Sequence, residues 1–362
     1  MSTPAALSGT SGSSLPRRQR DASDYSVLLK SVQAQGLLER RYLYYVIRST
    51  VLLLALASCG VGFALIGDSW LQLAVAAALA VVLTQVIFLS HDAAHRQIFK
   101  SSKANEIMAL VLGNGISGVS LAWWNNKHNK HHQAPNQIGK DPDIRPNAVV
   151  FYPAELPRSR VLRFMRKNQG WWFFPLLVVE ALNLHARSLI AVFTRKELKR
   201  RHTEMVVILA RLSVYPAVLF VFLSPGIAAG FLAVQMAVTG VYLGSVFAPA
   251  HVGMPILPHD LRIDFLRRQV LISRNIISTR FTTWLMGGLN YQVEHHLFPN
   301  MPRPNLRRAK AVVESFCETH DVAYTEKTLL QAWVLIIRHM NKVGAIGRDA
   351  FECPLVAALR PR

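Results

Sequence analysis

Residues 71–95, LQLAVAAALAVVLTQVIFLSHDAAH, decide the reading of this chain. Up to Ser90 the stretch is apolar except for Gln72, Thr84 and Gln85, and about 20 residues of helix are enough to cross a bilayer. It then runs without a break into His91 and His95. An α-helix places residues i and i+4 on one face, so a helix built on this stretch leaves the bilayer carrying two imidazoles toward one point.

Two further segments repeat that geometry. His128, His131 and His132 stand in Asn125-Asn126-Lys127-His128-Asn129-Lys130-His131-His132, and Gln292, His295 and His296 in Gln292-Val293-Glu294-His295-His296. Seven of the 13 histidines lie in the three clusters. A single zinc needs about four ligands, so this many convergent imidazoles imply two metal ions. His251, at the end of another apolar run, is a candidate ligand, and Gln292 binds directly, through water, or orients a neighbour. His185, His202, His259, His320 and His339 have no partner at ligand spacing and read as structural. Nitrogen ligation by itself leaves zinc, copper, iron and nickel open.

The same apolar patterning recurs in Tyr44–Ile66, Leu71–Ser90, Met205–Leu223 and Ala228–Ala248, which read as four spans in two tight hairpins. The short turns, Gly67 to Trp70 and Ser224 to Ile227, carry no Lys or Arg, whereas every other polar segment is rich in them. The positive-inside rule therefore places the amino-terminal tail, residues 96–201 and the segment after His251 in the cytoplasm. Ile107–Trp124 contains Gly113, Asn114, Gly115 and Gly118; Trp171–Phe193 contains Glu180, Asn183, His185 and Arg187. Both read as interfacial or re-entrant, because crossing by only one of them would put the clusters on opposite sides.

Composition agrees. A hydrophobic share of 51% against 17% charged residues points to a membrane protein. The net charge of +20 is assigned to anionic lipid headgroups, since the chain has no recognisable nucleic-acid module and no nucleic-acid partner is expected. Residues 1–38 read as a disordered basic tail, 39–325 as the membrane domain and 326–362 as a cytoplasmic tail. Arg17, Arg18 and Arg20 are followed by Asp21, Ser23, Asp24 and Tyr25 rather than an apolar stretch, so a twin-arginine export signal is rejected. Cys59, Cys317 and Cys353 form no CxxC pair, which supports neither a disulfide framework nor a thiolate metal site.

Ser90-His91-Asp92-Ala93-Ala94-His95, His128-Asn129-Lys130-His131-His132-Gln133-Ala134-Pro135-Asn136 and Gln292-Val293-Glu294-His295-His296-Leu297-Phe298-Pro299 resemble, in order, spacing and placement, the membrane-bound fatty acid desaturase family. The resemblance covers residues 40–325. It implies an all-α integral membrane enzyme: four spans with a cytoplasmic helical cap and a non-haem centre of two Fe ions. Such an enzyme uses dioxygen and two external electrons to place a cis double bond in an acyl chain carried on coenzyme A or a lipid. The ligands implied are His91, His95, His128, His131, His132, His295 and His296, with Gln292 at the variant first position of the last box. His251 matches an extra family histidine. Some members carry an Asn four residues before it, where this chain has Phe247.

Glutamine in the last box resembles the front-end and acyl-lipid branch, often fused to cytochrome b5, whose His-Pro-Gly-Gly motif does not occur in this sequence. Electrons are then expected from a separate ferredoxin or flavoprotein reductase drawing on NAD(P)H, with the enzyme in a bacterial cytoplasmic membrane and both termini cytoplasmic. Asp92, Asp141, Asp143 and Glu294 are candidates to bond imidazole N–H groups. Arg96, Lys100, Lys127 and Lys130 are candidates for coenzyme A phosphates or for snorkelling. Rival readings are a hydroxylase, ketolase or alkane monooxygenase on the same scaffold, a zinc hydrolase, and a metal transporter. The zinc hydrolase needs only about three protein ligands, and the transporter needs ligands near the bilayer midplane.

Overall fold

The computed structural model describes residues 23–346. The chain is built from helices α1 (Asp24–Ala34), α2 (Tyr42–Ile66), α3 (Gln72–Ala94), α4 (Ser102–Leu110), α5 (Leu121–Gln133), α6 (Arg160–Lys167), α7 (Gln169–Leu176) and α8 (Glu180–Thr194). These are followed by α9 (Arg201–Phe222), α10 (Pro225–His251), α11 (Phe265–Ile272), α12 (Arg280–Leu285), α13 (Gln292–Leu297), α14 (Arg303–Thr319) and α15 (Leu329–Ala345). A π-helical turn, Val111–Ile116, continues α4, and a 3-10 turn, Leu177–Val179, joins α7 to α8. Two short parallel strands, β1 (Asn275–Ile276) and β2 (Glu326–Lys327), are the sheet among the described residues.

Helices α3 and α10 form the central pair and run side by side. At one end the Asp68 carboxylate accepts the Ser224 amide at 2.8 Å, tying the two short turns together, and Gly230 faces Leu73 and Trp70. At the other end Phe88 of α3 meets Tyr242 and Phe247 of α10. Both helices therefore finish at the same level, one with His91 and the other with His251. The α3 helix stops where Arg96 enters the left-handed region at φ 57°, while the Gln97 amide returns to the Asp92 carbonyl at 2.9 Å.

Helix α2 packs on α3 through Tyr45 and Leu52 and leaves Leu53, Leu54, Val61 and Leu65 exposed, as a lipid-facing span requires. By length and composition five helices qualify as spans: Tyr42–Ile66, Gln72–Ala94, Gln169–Thr194, Arg201–Phe222 and Pro225–His251. The four expected spans are among them, and Gln169–Thr194 is a fifth candidate by the same measures. Its polar residues argued against crossing, but here they are accommodated: Glu180 accepts from Asn183 at 3.2 Å, and His185 Nδ1 donates to the Gly118 carbonyl at 3.0 Å. Its contacts keep both ends near the histidine end of the bundle. Phe173 packs with Ala248 and Val252, while Arg201, which opens α9, bonds the Val192 carbonyl at 2.6 Å. The segment from Ser102 to Gln133 is broken by a bend of 113° between Ile116 and Leu121, which fits the re-entrant reading of Ile107–Trp124.

The described parts of both terminal segments contain helices. Residues 1–22, including Arg17, Arg18 and Arg20, lie outside the described residues, but α1 follows directly, with Leu28 and Val32 buried against α11, α13 and α14. Likewise, the segment after 325 contributes β2, paired with β1, and α15, whose Ile336 and Met340 pack on Phe173 and Leu177. Both segments carry apolar residues at helical spacing, enough to seat one face of each helix.

The α7–α8 unit sits on α10 at Gly240, where an added Cβ would lie 2.2 Å from the Leu177 carbonyl oxygen. Gly240→Ala must therefore push the two helices apart, costing about 1–3 kcal/mol. A thermal scan in detergent is expected to show a clear drop in Tm. Gly226→Ala, with nothing within 4 Å of the new methyl, leaves it unchanged.

Candidate metal centre

Three helix ends and one short helix bring the histidines together. The α5 helix, which carries His128, His131 and His132, starts on Ser120, whose side chain caps the Trp123 amide at 3.1 Å. Glu204 of α9 accepts from the Ser120 hydroxyl at 2.5 Å and from the Ala122 amide at 2.9 Å. A carboxylate at the first turn suits the positive end of a helix dipole, so α9 fixes the position and direction of α5. Every residue of α13 is buried, and its second amide, on Val293, is held by Asn275 Oδ1 at 2.9 Å.

The imidazoles fall into two adjoining groups. His91, His95, His128 and His295 offer ring nitrogens within 4.8 Å of one another, and so do His131, His251 and His296. His132 lies between them, its Nε2 3.0 Å from His128 Nε2 and its ring stacked on His296 at 4.2 Å. Within the groups, Nε2 faces Nε2. The separations are 3.2 Å for His91 and His128, 2.9 Å for His95 and His128, 3.3 Å for His131 and His251, and 3.2 Å for His251 and His296. Neighbouring nitrogens on an octahedral ion with bonds of about 2.1 Å are about 3.0 Å apart, a spacing that these separations match. Gln292 reaches the second group, its amide nitrogen 3.0 Å from His251 Nε2, and turning the carboxamide over presents Oε1 at the same place.

The outward nitrogens explain why the inward ones are free. His131 Nδ1 bonds Asp141 Oδ2 at 3.0 Å, His296 Nδ1 bonds Gln269 Oε1 at 3.0 Å, and His251 Nδ1 bonds the Ile272 carbonyl at 3.2 Å. Each pairing places the proton on Nδ1 and leaves a lone pair on Nε2 directed inward. Gln269 also donates to the His132 carbonyl at 2.9 Å, bridging α5 and α13. Burial, then the neighbouring imidazoles, push His295 and His296 well below the usual histidine range, keeping them neutral. Both ring nitrogens of His295, and His132 Nδ1, are buried with no protein partner. Inward-facing imidazole nitrogens in two sets, with those of His295 wholly unpartnered, fit a pair of transition-metal ions.

The four acidic candidates divide. Asp141 bonds His131 and also accepts the Asn136 amide at 2.7 Å. Asp143 stands 3.4 Å from His131 Nδ1 and pairs with Lys127. Asp92 lies 3.8 Å from His91 Nδ1, but its other oxygen is 2.7 Å from the Arg303 guanidinium, an ion pair by distance rather than an aligned hydrogen bond. Glu294 points away from the imidazoles, to Tyr324 at 2.7 Å and Asn275 at 2.8 Å. Burial pushes its carboxyl up to about 7, against those two hydrogen bonds. Phe247 turns into the apolar cluster around Phe88 rather than toward the donors. Away from the centre, His185, His320 and His339 bond backbone carbonyls.

Gln269, Ile272 and Arg303 could not be singled out beforehand. Gln269 is an ordinary polar residue of an amphipathic helix, and the acceptor at Ile272 is a carbonyl that every residue possesses. The nearest available signal was the periodicity of α11, which buries Leu266, Gln269, Val270 and Ile272 together.

Comparison with known proteins follows the same outline. A family model described as fatty acid desaturase matches residues 68–328. The chain is 27% identical over 347 residues to Delta(8)-fatty-acid desaturase 2 of Arabidopsis thaliana, covering 90% of this chain and 76% of that one. It is 29% identical over 280 residues to an acyl-lipid (9-3)-desaturase of Borago officinalis, covering 72% and 61%. To fatty acid desaturase 3 of Homo sapiens it is 31% identical over 301 residues, covering 79% and 65%.

Replacing the group that holds an imidazole should loosen metal without emptying the site. Asp141→Asn and Gln269→Leu are each expected to weaken metal retention about 10–100-fold against a chelator. Plasma emission of the dialysed protein reads this directly, and wild-type retention in both variants would remove these residues from any role at the centre.

Proposed function

We propose that this chain, which belongs to the fatty acid desaturase family, holds two iron ions in its histidine cluster and uses them to desaturate an acyl chain. It is an enzyme, a fatty acid desaturase. His91, His95, His128 and His295 would hold one ion; His131, His251 and His296 would hold the other, with His132 between them and Gln292 beside His251. The observation that carries the reading is the inward convergence of these nitrogens, at 2.9–3.3 Å for the bonded pairs and, for His295, within 4.8 Å of its three neighbours.

Iron supplies redox chemistry that zinc lacks, enabling dioxygen to be used against an unactivated C–H bond. The balance is one acyl CH2–CH2 unit, one O2, two electrons and two protons giving one CH=CH unit and two waters. The chain's own residues would position and enclose. Asp141, Gln269 and the Ile272 carbonyl keep the imidazoles turned inward, Arg303 and Asp92 hold the last turn of α3, and burial of His295 and His296 excludes bulk water.

The substrate is a fatty acyl chain presented from the membrane, on coenzyme A or on a lipid. The relatives named for acyl-lipid and Delta(8) activity support the chemistry. Electrons come from a separate acidic ferredoxin or flavoprotein reductase using NAD(P)H. Lys130, Lys140, Arg145 and Arg268 line one open hollow beside Gln133 and Ala134, directly after His131 and His132, a basic entry close to the ligands. For topology, α2, α3, α9 and α10 cross, while Ser102–Gln133 and Gln169–Thr194 remain on the histidine face, which is cytoplasmic. The joint position of His91 and His251 supports an even number of crossings between them.

Protein purified from iron-supplemented cells is expected to carry about two iron ions per chain. Gas chromatography with mass spectrometry of host lipids should show a new double bond. His131→Ala and His251→Ala should each abolish that product and lower iron content while the protein still inserts. A single zinc that supports full turnover, or an oxygenated product, would overturn the reading.

Sidedness is tested separately. Cysteines introduced near Asp68 and Pro225 should react with an impermeant reagent from outside intact cells, while those near Lys100, Lys140 and Arg303 stay protected. Outside labelling at Lys140 would remove the common cytoplasmic face.

A further inference from the structure

Helix α6, Arg-Val-Leu-Arg-Phe-Met-Arg-Lys over Arg160–Lys167, has no buried residue. At about 100° per residue, Phe164, Val161, Met165 and Leu162 fall in one arc of about 160°, and Arg166, Arg163, Lys167 and Arg160 in the remaining arc. No residue breaks the segregation. The apolar arc is open, with Val161 67%, Leu162 54%, Phe164 64% and Met165 46% exposed.

The protein seats α6 by its backbone. An added Cβ on Gly344 of α15 would stand 1.9 Å from the Arg166 carbonyl oxygen, and the Arg166 guanidinium reaches back to the Glu155 carbonyl. Arg160, Arg163 and Lys167 are left exposed. Immediately after α6 the chain enters Gln169–Thr194, apolar enough to enter a membrane, through the exposed Trp171 and Trp172. Indole rings at that position mark headgroup level, so α6 is continuous with a surface already at the lipid boundary.

We propose that α6 is an interfacial seat for anionic lipid: Phe164, Val161, Met165 and Leu162 enter the acyl boundary while Arg160, Arg163 and Lys167 meet phosphate headgroups. Segregated charge over an apolar arc is the form such helices take, and each basic residue near an anionic surface adds attraction. The seat adjoins the metal centre through α15, whose Ile336 and Met340 share an apolar cluster with Val252, the residue after His251. This inference stands apart from the desaturase reading.

The test uses the full chain in nanodiscs of phosphatidylcholine, with or without phosphatidylglycerol. A spin label is placed by Phe164→Cys in a background of Cys59→Ser, Cys317→Ser and Cys353→Ser. Collision with oxygen should exceed collision with an aqueous nickel chelate, and the difference should grow with phosphatidylglycerol. Arg160→Gln, Arg163→Gln and Lys167→Gln together should abolish that growth. If the triple variant does not assemble, Lys167→Gln alone should reduce it. A label equally open to nickel in both lipids, one shielded from both reagents by protein, or a response unchanged by charge removal overturns the proposal.

Discussion

Packing imidazoles ring nitrogen to ring nitrogen is the constraint on which the rest of this structure depends. Nitrogens that face one another at 2.9–3.3 Å repel unless a cation lies among them or a proton lies between them. Burial disfavours the proton, which is why His295 and His296 are held neutral. What keeps the rings in this arrangement is on their outer sides, where a carboxylate, a carboxamide and a backbone carbonyl take the N–H groups of His131, His296 and His251. The fold is to a large extent the means of delivering those outer partners to the right places.

That delivery explains several costly features of the apolar part of the chain. Glu204 is a buried carboxylate in a helix otherwise fit for lipid, yet it caps the helix that carries the second cluster. A charge is tolerated there because the orphan amides of a helix start, together with a hydroxyl, replace its water. Arg303 is similarly buried, spanning Asp92 and the Phe88 carbonyl at 2.8 Å, so the last turn of α3 is tied to the start of α14. Truncating either partner would strand a charge in a dry site, a larger penalty than the pair's own net worth.

The elements added around α2, α3, α9 and α10 serve the same end. Helix α15 packs between α7 and the end of α10, and α1 closes the far side of the cluster that contains α13. The short β1–β2 pairing joins the strand that contains Asn275 to the lead-in of α15, so the residue that holds the Val293 amide is itself held. Peripheral segments thus bear on the centre through the elements they hold in place.

Local periodicity was enough to make the histidine clusters, the four longest apolar runs and the family legible from residues alone, because i, i+4 spacing and apolar length are properties of a continuous stretch of chain. His91 with His95, or Leu71 to Ser90, can be read without knowing any neighbour. The pairing of Gln269 with His296, the turn of Glu294 away from the imidazoles, and the pairing of His185 with the Gly118 carbonyl are different in kind. Each depends on which groups the fold brings within about 3 Å across long separations in the chain. Hydrogen bonds, unlike hydrophobic periodicity, leave no repeating mark on the sequence, so the outer partners of the histidine cluster were decided only by tertiary packing.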